Sequence, residues 1–279
     1  MASLAPQEFR LEDSGRALAG ETQGEGAPLV LCHGLSATRR YVVHGSKHLP
    51  RRGYRLVTYD ARGHGESDPA DAYDYAGLAA DLDLVILATG AGAGEGAVLG
   101  GHSMGCHTVT RRALANPDGI RALILIGPVF TGVADDDARW DRRADALEEG
   151  GPDAFAEVVA ENETSDEARG TSFRLARDRA RLHRHPLAVA EALRQVPRSK
   201  PFEDLDRLTE LDVPTLVVAS HDEFDPGHPY AAAVAWAERI PGARLISEKP
   251  GESPLAWQGG MLSREIEGFL RGAGLGSGR

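Results

Sequence analysis

Short apolar runs recur along the chain at wide spacing, separated by charged or alanine-rich stretches. These runs are apolar on both faces, which indicates strands covered by helices on either side. Alternation over residues 8–12, a turn signal at Asp13-Ser14-Gly15 and strand-like character over residues 16–21 predict an opening hairpin. The predicted buried strands are residues 28–32, 54–59, 97–100, 122–126, 215–219 and 243–246.

Segments with helical spacing fill the gaps between these strands. Apolar residues recur at helical spacing over residues 75–87, and a second helix over residues 107–115 ends before Asn116-Pro117-Asp118-Gly119. Further helices are predicted over residues 230–239, before Pro241-Gly242, and over residues 263–270. Alternating strands and helices predict a mainly parallel, doubly wound α/β sheet.

Residues 131–208 break this alternation because they are charged, rich in Ala and Arg, and contain no strand-like run. The segment lies between the predicted strands 122–126 and 215–219, so we expect a helical cap inserted above the sheet. Residues 1–130 and 209–279 would then form the core. The amphipathic helices predicted within the cap cover residues 139–149, 152–161, 172–182 and 186–196.

Composition narrows the class of protein. With 279 residues and a hydrophobic fraction of 42%, the chain can bury a substantial core. A formal net charge of −11 makes a nucleic-acid phosphate backbone a poor partner. No signal peptide or membrane-spanning run is recognisable, so we expect a cytoplasmic protein without a membrane partner. Cys32 and Cys106 both fall in predicted core segments and are expected to be buried free thiols.

The strongest chemical signal is Gly101-His102-Ser103-Met104-Gly105, which reads G-x-S-x-G and follows an apolar run. Small residues around the serine suit a sharp turn from strand to helix, which holds the hydroxyl at its tip. The surroundings predict a nucleophilic serine more strongly than the pentapeptide alone does.

Four segments resemble motifs of the α/β-hydrolase family, in the family's order and over nearly the whole chain. One resembles the oxyanion segment, one the D-x-R-G-x-G-x-S loop, one the nucleophile elbow, and one the strand and loop that carry the catalytic acid. The resemblance implies an α/β-hydrolase fold. The segments are Leu31-Cys32-His33-Gly34-Leu35, residues 59–68, residues 100–105 and residues 213–222.

The resemblance also implies roles for single residues. Ser103 would be the nucleophile, activated by a neighbouring base. The backbone N–H groups of Leu35 and Met104 would form the oxyanion hole, the latter at a helix start where developing negative charge is favoured. Asp222 would be the catalytic acid, with Asp225 as the alternative.

The family's base histidine is absent from its usual place. The loop after the last predicted strand reads Lys249-Pro250-Gly251-Glu252-Ser253-Pro254, with Glu252 at the histidine position. No histidine follows His228, so a shifted alignment does not restore the usual arrangement.

Four readings of this substitution stay open. The first is that Glu252, beside Asp222, serves as base; an acidic pocket floor would then favour a cationic or hydrogen-bond-donating substrate. The second is that Glu252 only pairs with an arginine at the rim. The third is that His228, or a cap histidine, is a relocated base. The site could also bind and orient a substrate without acyl-serine chemistry.

The implied function is a cofactor-independent serine hydrolase with an atypical triad, acting on a small ester, lactone, thioester or amide. A lyase or cyclase of the same fold and a catalytically silent small-molecule binding protein are the alternatives. No cofactor or metal is expected. The Gly-rich residues 90–96 lack the lysine of a phosphate loop, and no third ligand accompanies any histidine pair at useful spacing.

Overall fold

The computed structural model describes residues 4–161, 166–221 and 225–276. In this part of the chain, one sheet of eight strands has the order β1-β2-β4-β3-β5-β6-β7-β8. The first two strands form the predicted antiparallel hairpin, β2 pairs antiparallel with β4, and the remaining pairs are parallel. The strands are β1 (Gln7–Asp13), β2 (Arg16–Gln23), β3 (Ala27–Cys32), β4 (Tyr54–Tyr59), β5 (Ala97–His102), β6 (Ile120–Ile126), β7 (Thr215–Val218) and β8 (Arg244–Ile246).

The helices follow the predicted order, with additional short turns. The helix after the elbow begins at Met104 rather than at residue 107, because it starts directly behind the turn at Ser103. The helices are α1 (His48–Arg51), α2 (Tyr75–Ala88), α3 (Met104–Ala115), α4 (Arg139–Ala160), α5 (Asp166–Ala180), α6 (Pro186–Gln195), α7 (Tyr230–Arg239) and α8 (Gly259–Gly272), and three short 3₁₀ turns cover Arg39–Tyr41, Leu205–Glu210 and Leu255–Trp257.

The sheet is buried on both faces, as the apolar runs predict. In β6, Leu123 and Leu125 belong to the core cluster that contains Val109 of α3 and Trp236 of α7. Ile124 of the same strand belongs to the opposite cluster, which contains side chains of α1 and α8. Successive side chains of a strand point to opposite faces, so β6 contributes to both layers of the core. The mainly parallel α/β fold is therefore confirmed.

Residues 131–208, called the helical insertion below, contain α4, α5, α6 and the first part of the turn Leu205–Glu210. Between β6 and β7 the described residues form no strand. Phe155, Ala176 and Val189 pack the three helices of the insertion together. A further cluster joins Ala188 of α6 to Met104 of the elbow, so the insertion lies against the start of α3. That the insertion is a cap distinct from the core stays a prediction.

Two further expectations bear on the core and on the surroundings of the chain. Cys32 and Cys106 are buried free thiols. Burial raises the pKa of Cys32 to about 12 and that of Cys106 well above its usual value, so both thiols stay protonated at neutral pH. No helix within the described ranges is long and apolar enough to cross a membrane.

Candidate active site

Ser103 lies at the tip of the turn between β5 and α3 and has a left-handed backbone, with φ 51°. A Cβ atom at Gly101 would lie 2.2 Å from the carbonyl carbon of Gly105. A Cβ atom at Gly105 would lie 2.1 Å from the carbonyl oxygen of Cys32. Only glycine fits at either position, which explains the G-x-S-x-G pattern. A non-glycine residue held in this strained conformation is common at functional sites.

The backbone N–H groups predicted to form the oxyanion hole belong to Leu35 and Met104. The loop after β3 passes close to the serine, since a Cβ atom at Gly34 would lie 3.4 Å from the Ser103 Cβ. In the described structure, no acceptor takes a hydrogen bond from the N–H of Leu35 or of Met104. Met104 is the first residue of α3, where the helix dipole favours negative charge. The oxyanion assignment of these two residues stays a prediction.

A histidine–carboxylate pair lies in the loop before α7. His228 Nδ1 is 2.8 Å from Oδ1 of Asp225, and the Asp225 side chain is buried. Because an ionised carboxylate only accepts hydrogen bonds, Nδ1–H of His228 donates and Nε2 carries the lone pair. The described residues provide no hydrogen-bond partner for Nε2 of His228. A carboxylate on Nδ1 leaves Nε2 as the basic nitrogen, which is the tautomer that a general base uses.

The histidine of this pair lies beside the elbow. The rings of His228 and His102 are 4.7 Å apart between centroids, and His102 immediately precedes Ser103. A Cβ atom at Gly127, just after β6, would lie 3.1 Å from Cδ2 of His228 and 3.4 Å from Nε2 of His102. The Ser103 N–H donates to the carbonyl of Ile126, so the elbow and the end of β6 are joined directly. The loop after β7 thus brings His228 to the elbow.

The remaining predicted site residues are placed differently. Asp222 lies outside the described residues. Glu252 is exposed, and its backbone N–H donates to the carbonyl of Lys249. No hydrogen bond or ion pair joins its carboxylate to Ser103 or to any other described residue, an arginine at the rim included. Its role at the site therefore stays a prediction.

Other histidines near the elbow hold backbone in place. His107 Nε2 accepts from the N–H of Val129, and His33 Nε2 accepts from the N–H of Ala61. His183 of the helical insertion accepts from the N–H of Gly65. Burial lowers the pKa of all three imidazoles to about 3, so they are neutral acceptors at neutral pH.

Glu248 is a buried carboxylate near the site that sequence reasoning missed. Its Oε1 accepts from the N–H of His221 at 2.6 Å, and its Oε2 accepts from the N–H of Leu255 at 2.8 Å. It thereby joins the loop after β7 to the loop after β8. The one sequence signal for Glu248 was its position, two residues after the last strand.

Arg179 of α5 is the second missed residue. Its Cζ lies 5.9 Å from the ring centre of Tyr41, and Tyr41 follows the oxyanion loop. Amphipathic spacing alone could not show that this arginine of a strongly charged helix points towards the loop after β3. Among the described residues, no cluster of three or more His, Cys, Asp or Glu side chains is arranged to hold a metal ion.

Comparisons with known proteins fit this architecture. A family model described as alpha/beta hydrolase fold matches residues 27–207. A RutD protein of Agrobacterium fabrum, provisionally named a carbamate hydrolase, is 30% identical over 81% of this chain and 85% of its own length. The AB hydrolase superfamily protein YisY of Bacillus subtilis is 35% identical over 40% of this chain and 42% of its own length. A solved structure of a thermophilic esterase from Thermogutta terrifontis is similar with a TM-score of 0.76 and 23% identity, covering 96% of this chain and 99% of that one.

Proposed function

The chain belongs to the α/β-hydrolase fold family and is an enzyme of the hydrolase class, and we propose that Ser103 is its nucleophile, with His228 as general base and Asp225 as the acid that orients it. The observation that carries this assignment is the 2.8 Å hydrogen bond from His228 Nδ1 to Asp225, made beside the elbow. The base would be relocated from the loop after β8 to the loop after β7. The exposed position of Glu252 favours this over a carboxylate base.

The proposed chemistry is acyl transfer through the serine. His228 Nε2 takes the Ser103 hydroxyl proton as Oγ bonds to the substrate carbonyl carbon. The resulting oxyanion accepts hydrogen bonds from the N–H groups of Leu35 and Met104. Collapse breaks the bond to the leaving group, which takes the proton from His228. Water then attacks the acyl-serine, gives a proton to His228, and the proton returns to Ser103 as the acid product leaves.

Asp225 has two tasks in this proposal. It keeps the proton of His228 on Nδ1, so that Nε2 is the basic nitrogen, and it stabilises the imidazolium that forms. Its burial favours both, because a charge–charge interaction is stronger away from bulk water. Asp222 and Glu252 are the competing acid and base, and amide substitutions of all four residues separate the two pairs.

The substrate class that this chemistry serves is a small ester, lactone, thioester or amide, without a cofactor. The helical insertion would form the roof of the site as a cap. Two contacts support this proposal: Leu35 packs against the apolar cluster of the insertion, and it also packs against the cluster that joins Ala188 of α6 to Met104.

Covalent labelling tests the nucleophile. The protein is incubated with an alkyl fluorophosphonate and digested, and the labelled peptide is identified by mass spectrometry. We expect one label on Ser103, none in Ser103→Ala, and unchanged labelling in Ser253→Ala, an exposed serine in the Glu252 loop. A panel of acyl esters, lactones, thioesters and anilides then reports turnover. Labelling without turnover would favour a lyase or cyclase, whereas neither labelling nor turnover would favour a binding protein, and either result would contradict the proposal.

A further inference from the structure

Several arginines of the helical insertion are neutralised by carboxylates at the surface. Arg194 pairs with Asp145 and Glu148, Arg181 pairs with Asp153, and Arg198 pairs with Asp136 and Asp141. Such surface pairs contribute little to stability. Because each of these arginines already pairs with a carboxylate, none of them is a candidate for binding an anionic ligand.

Arg179 differs from these arginines in position and in partners. It lies on the half-buried side of α5, with Nε donating to the carbonyl of Leu175 in the preceding turn. Its guanidinium faces the Tyr41 ring. The described residues place no carboxylate within ion-pair distance of it, and its two terminal nitrogens have no hydrogen-bond partner there. A guanidinium cannot lose its charge in a protein, so this one is a free, partly desolvated cation.

Arg179 interacts electrostatically with Asp225 and with His102, the residue before Ser103. Burial lowers the pKa of Arg179, whereas the charges of Tyr41 and Asp225 raise it. Burial is also the main reason for the lowered pKa of His102, followed by the charges of His228 and Arg179. Tyr41 in turn lies against His44, with ring centroids 5.7 Å apart. Geometry places Arg179 beside the loop after β3: its guanidinium lies over Tyr41, and the cluster that contains Ala176 and Ala180 of α5 packs against Leu35.

We propose that Arg179 binds a carboxylate group of the substrate, because its terminal nitrogens have no partner among the described residues, its Nε is anchored to the helix, and its guanidinium lies over Tyr41 in the loop that follows Leu35. A planar guanidinium matches a carboxylate with two parallel hydrogen bonds, which fixes the substrate's orientation as well as its charge. The substrate would be an anionic acyl compound: a half-ester, or an ester, thioester or lactone that carries a free acid. The proposal rests on the proposed serine hydrolysis, whose substrate class it narrows.

This inference reverses the preference expected from sequence. An acidic floor formed by Glu252 and Asp222 would favour cationic substrates. Glu252 is exposed, whereas Arg179 is a half-buried cation beside the loop that carries Leu35 and Tyr41.

The test compares paired esters at pH 7.5. The anionic probes are mono-4-nitrophenyl glutarate, with the carboxylate on the acyl side, and 4-carboxyphenyl acetate, with the carboxylate on the leaving group. Their neutral counterparts are 4-nitrophenyl hexanoate and phenyl acetate. Arg179→Met should lower kcat/KM by roughly tenfold to a hundredfold on at least one anionic probe, mainly through KM. The neutral esters should change by less than about threefold. Arg179→Lys should restore part of the loss.

Arg174→Met is the matched control. Arg174 lies on the same helix, is exposed, and among the described residues donates only to Thr171 Oγ1. The Arg174→Met substitution removes the same charge from the protein but not from the proposed site. It should therefore leave kcat/KM unchanged for all four esters. Equal losses on charged and neutral esters in Arg179→Met would mean that Arg179 merely positions Asp225, and would overturn the proposal. No loss on either anionic ester would overturn it as well.

A binding measurement separates this inference from the proposed hydrolysis. Isothermal titration of Ser103→Ala with mono-4-nitrophenyl glutarate should show binding that Arg179→Met weakens by a similar factor. If the wild-type protein hydrolyses no ester but this Arg179-dependent binding is found, serine hydrolysis is wrong and the anion site is correct. If the esters are hydrolysed but binding does not depend on Arg179, the reverse holds.

Discussion

His228 donates a hydrogen bond from Nδ1 to Oδ1 of Asp225, which precedes it by one turn of the same loop. The base and its orienting acid would thus come from a single loop, whereas the family resemblance implies an acid after one strand and a histidine after the next. A pair this close in sequence keeps its geometry whenever the loop does. The loop after β8 would then supply no catalytic residue, which is consistent with an exposed Glu252.

Replacing His228 tests the relocated base. His228→Gln should lower kcat/KM on a hydrolysed ester by about a hundredfold to ten-thousandfold, because the amide cannot accept the serine proton. Glu252→Gln, an isosteric change of an exposed side chain, should stay within about threefold of wild type. Both proteins should show wild-type circular dichroism. If Glu252→Gln abolishes turnover while His228→Gln is active, the carboxylate base is the correct assignment.

The acid is tested by paired amide substitutions. Asp225→Asn keeps the shape but lets the side chain donate, which favours the wrong tautomer of His228, and kcat should fall by about 10³- to 10⁴-fold. Asp222→Asn should have a much smaller effect on kcat. Fluorophosphonate labelling rates provide an independent readout of Ser103 nucleophilicity. The reverse ranking of the two variants would assign the acid to Asp222.

Much of the fold could be predicted because local patterns determine it. The runs at β4 and α7 coincide with the observed elements, since buried strands and an alanine-rich helix are recognisable without tertiary information. The turn at Ser103 was predictable for a similar reason: Gly101 and Gly105 make contacts that no side chain permits.

The arrangement around the elbow was less predictable. His228 and Asp225 were visible as candidates, but their pairing depends on a loop conformation that no periodicity describes. Glu248 helps to set that conformation by bonding to the N–H of His221, a contact between distant positions of the chain. The inward direction of Arg179 likewise depends on how α5 packs, which its charge pattern does not show.

Gly127 offers a test of where His228 lies. Gly127→Ala places a methyl group about 3.1 Å from Cδ2 of His228, so it should displace the imidazole and lower kcat by roughly tenfold or more. Gly90→Ala is the matched control, since Gly90 also has a positive φ but no atom near its Cβ position. Both changes should cost about 1 kcal/mol in the free energy of unfolding because of backbone strain. Equal activity of the two variants would place His228 away from the elbow.

Glu248 should be structural rather than catalytic. Glu248→Gln weakens the charge-assisted bonds to the N–H groups of His221 and Leu255, so the free energy of unfolding should fall by about 1–3 kcal/mol. Urea denaturation measures this loss, and Glu252→Gln should show none. Ester hydrolysis by the folded fraction should fall less than it does in His228→Gln. A stable but inactive Glu248→Gln protein would instead place this carboxylate in the catalytic machinery.

The buried histidines make stability depend on pH. Burial lowers the pKa of His33, His107 and His183 to about 3, against an unfolded value of about 6.5. Between these values the unfolded chain binds more protons, so the stability that these groups contribute is complete above pH 6.5 and is lost as pH falls towards 3. In His107→Gln, which keeps an acceptor for the Val129 N–H, the slope of unfolding free energy against pH near pH 5 should fall by about 1.4 kcal/mol per pH unit. Urea titrations at pH 5 and pH 6 measure both slopes, and equal slopes in variant and wild type would show that His107 is not held neutral.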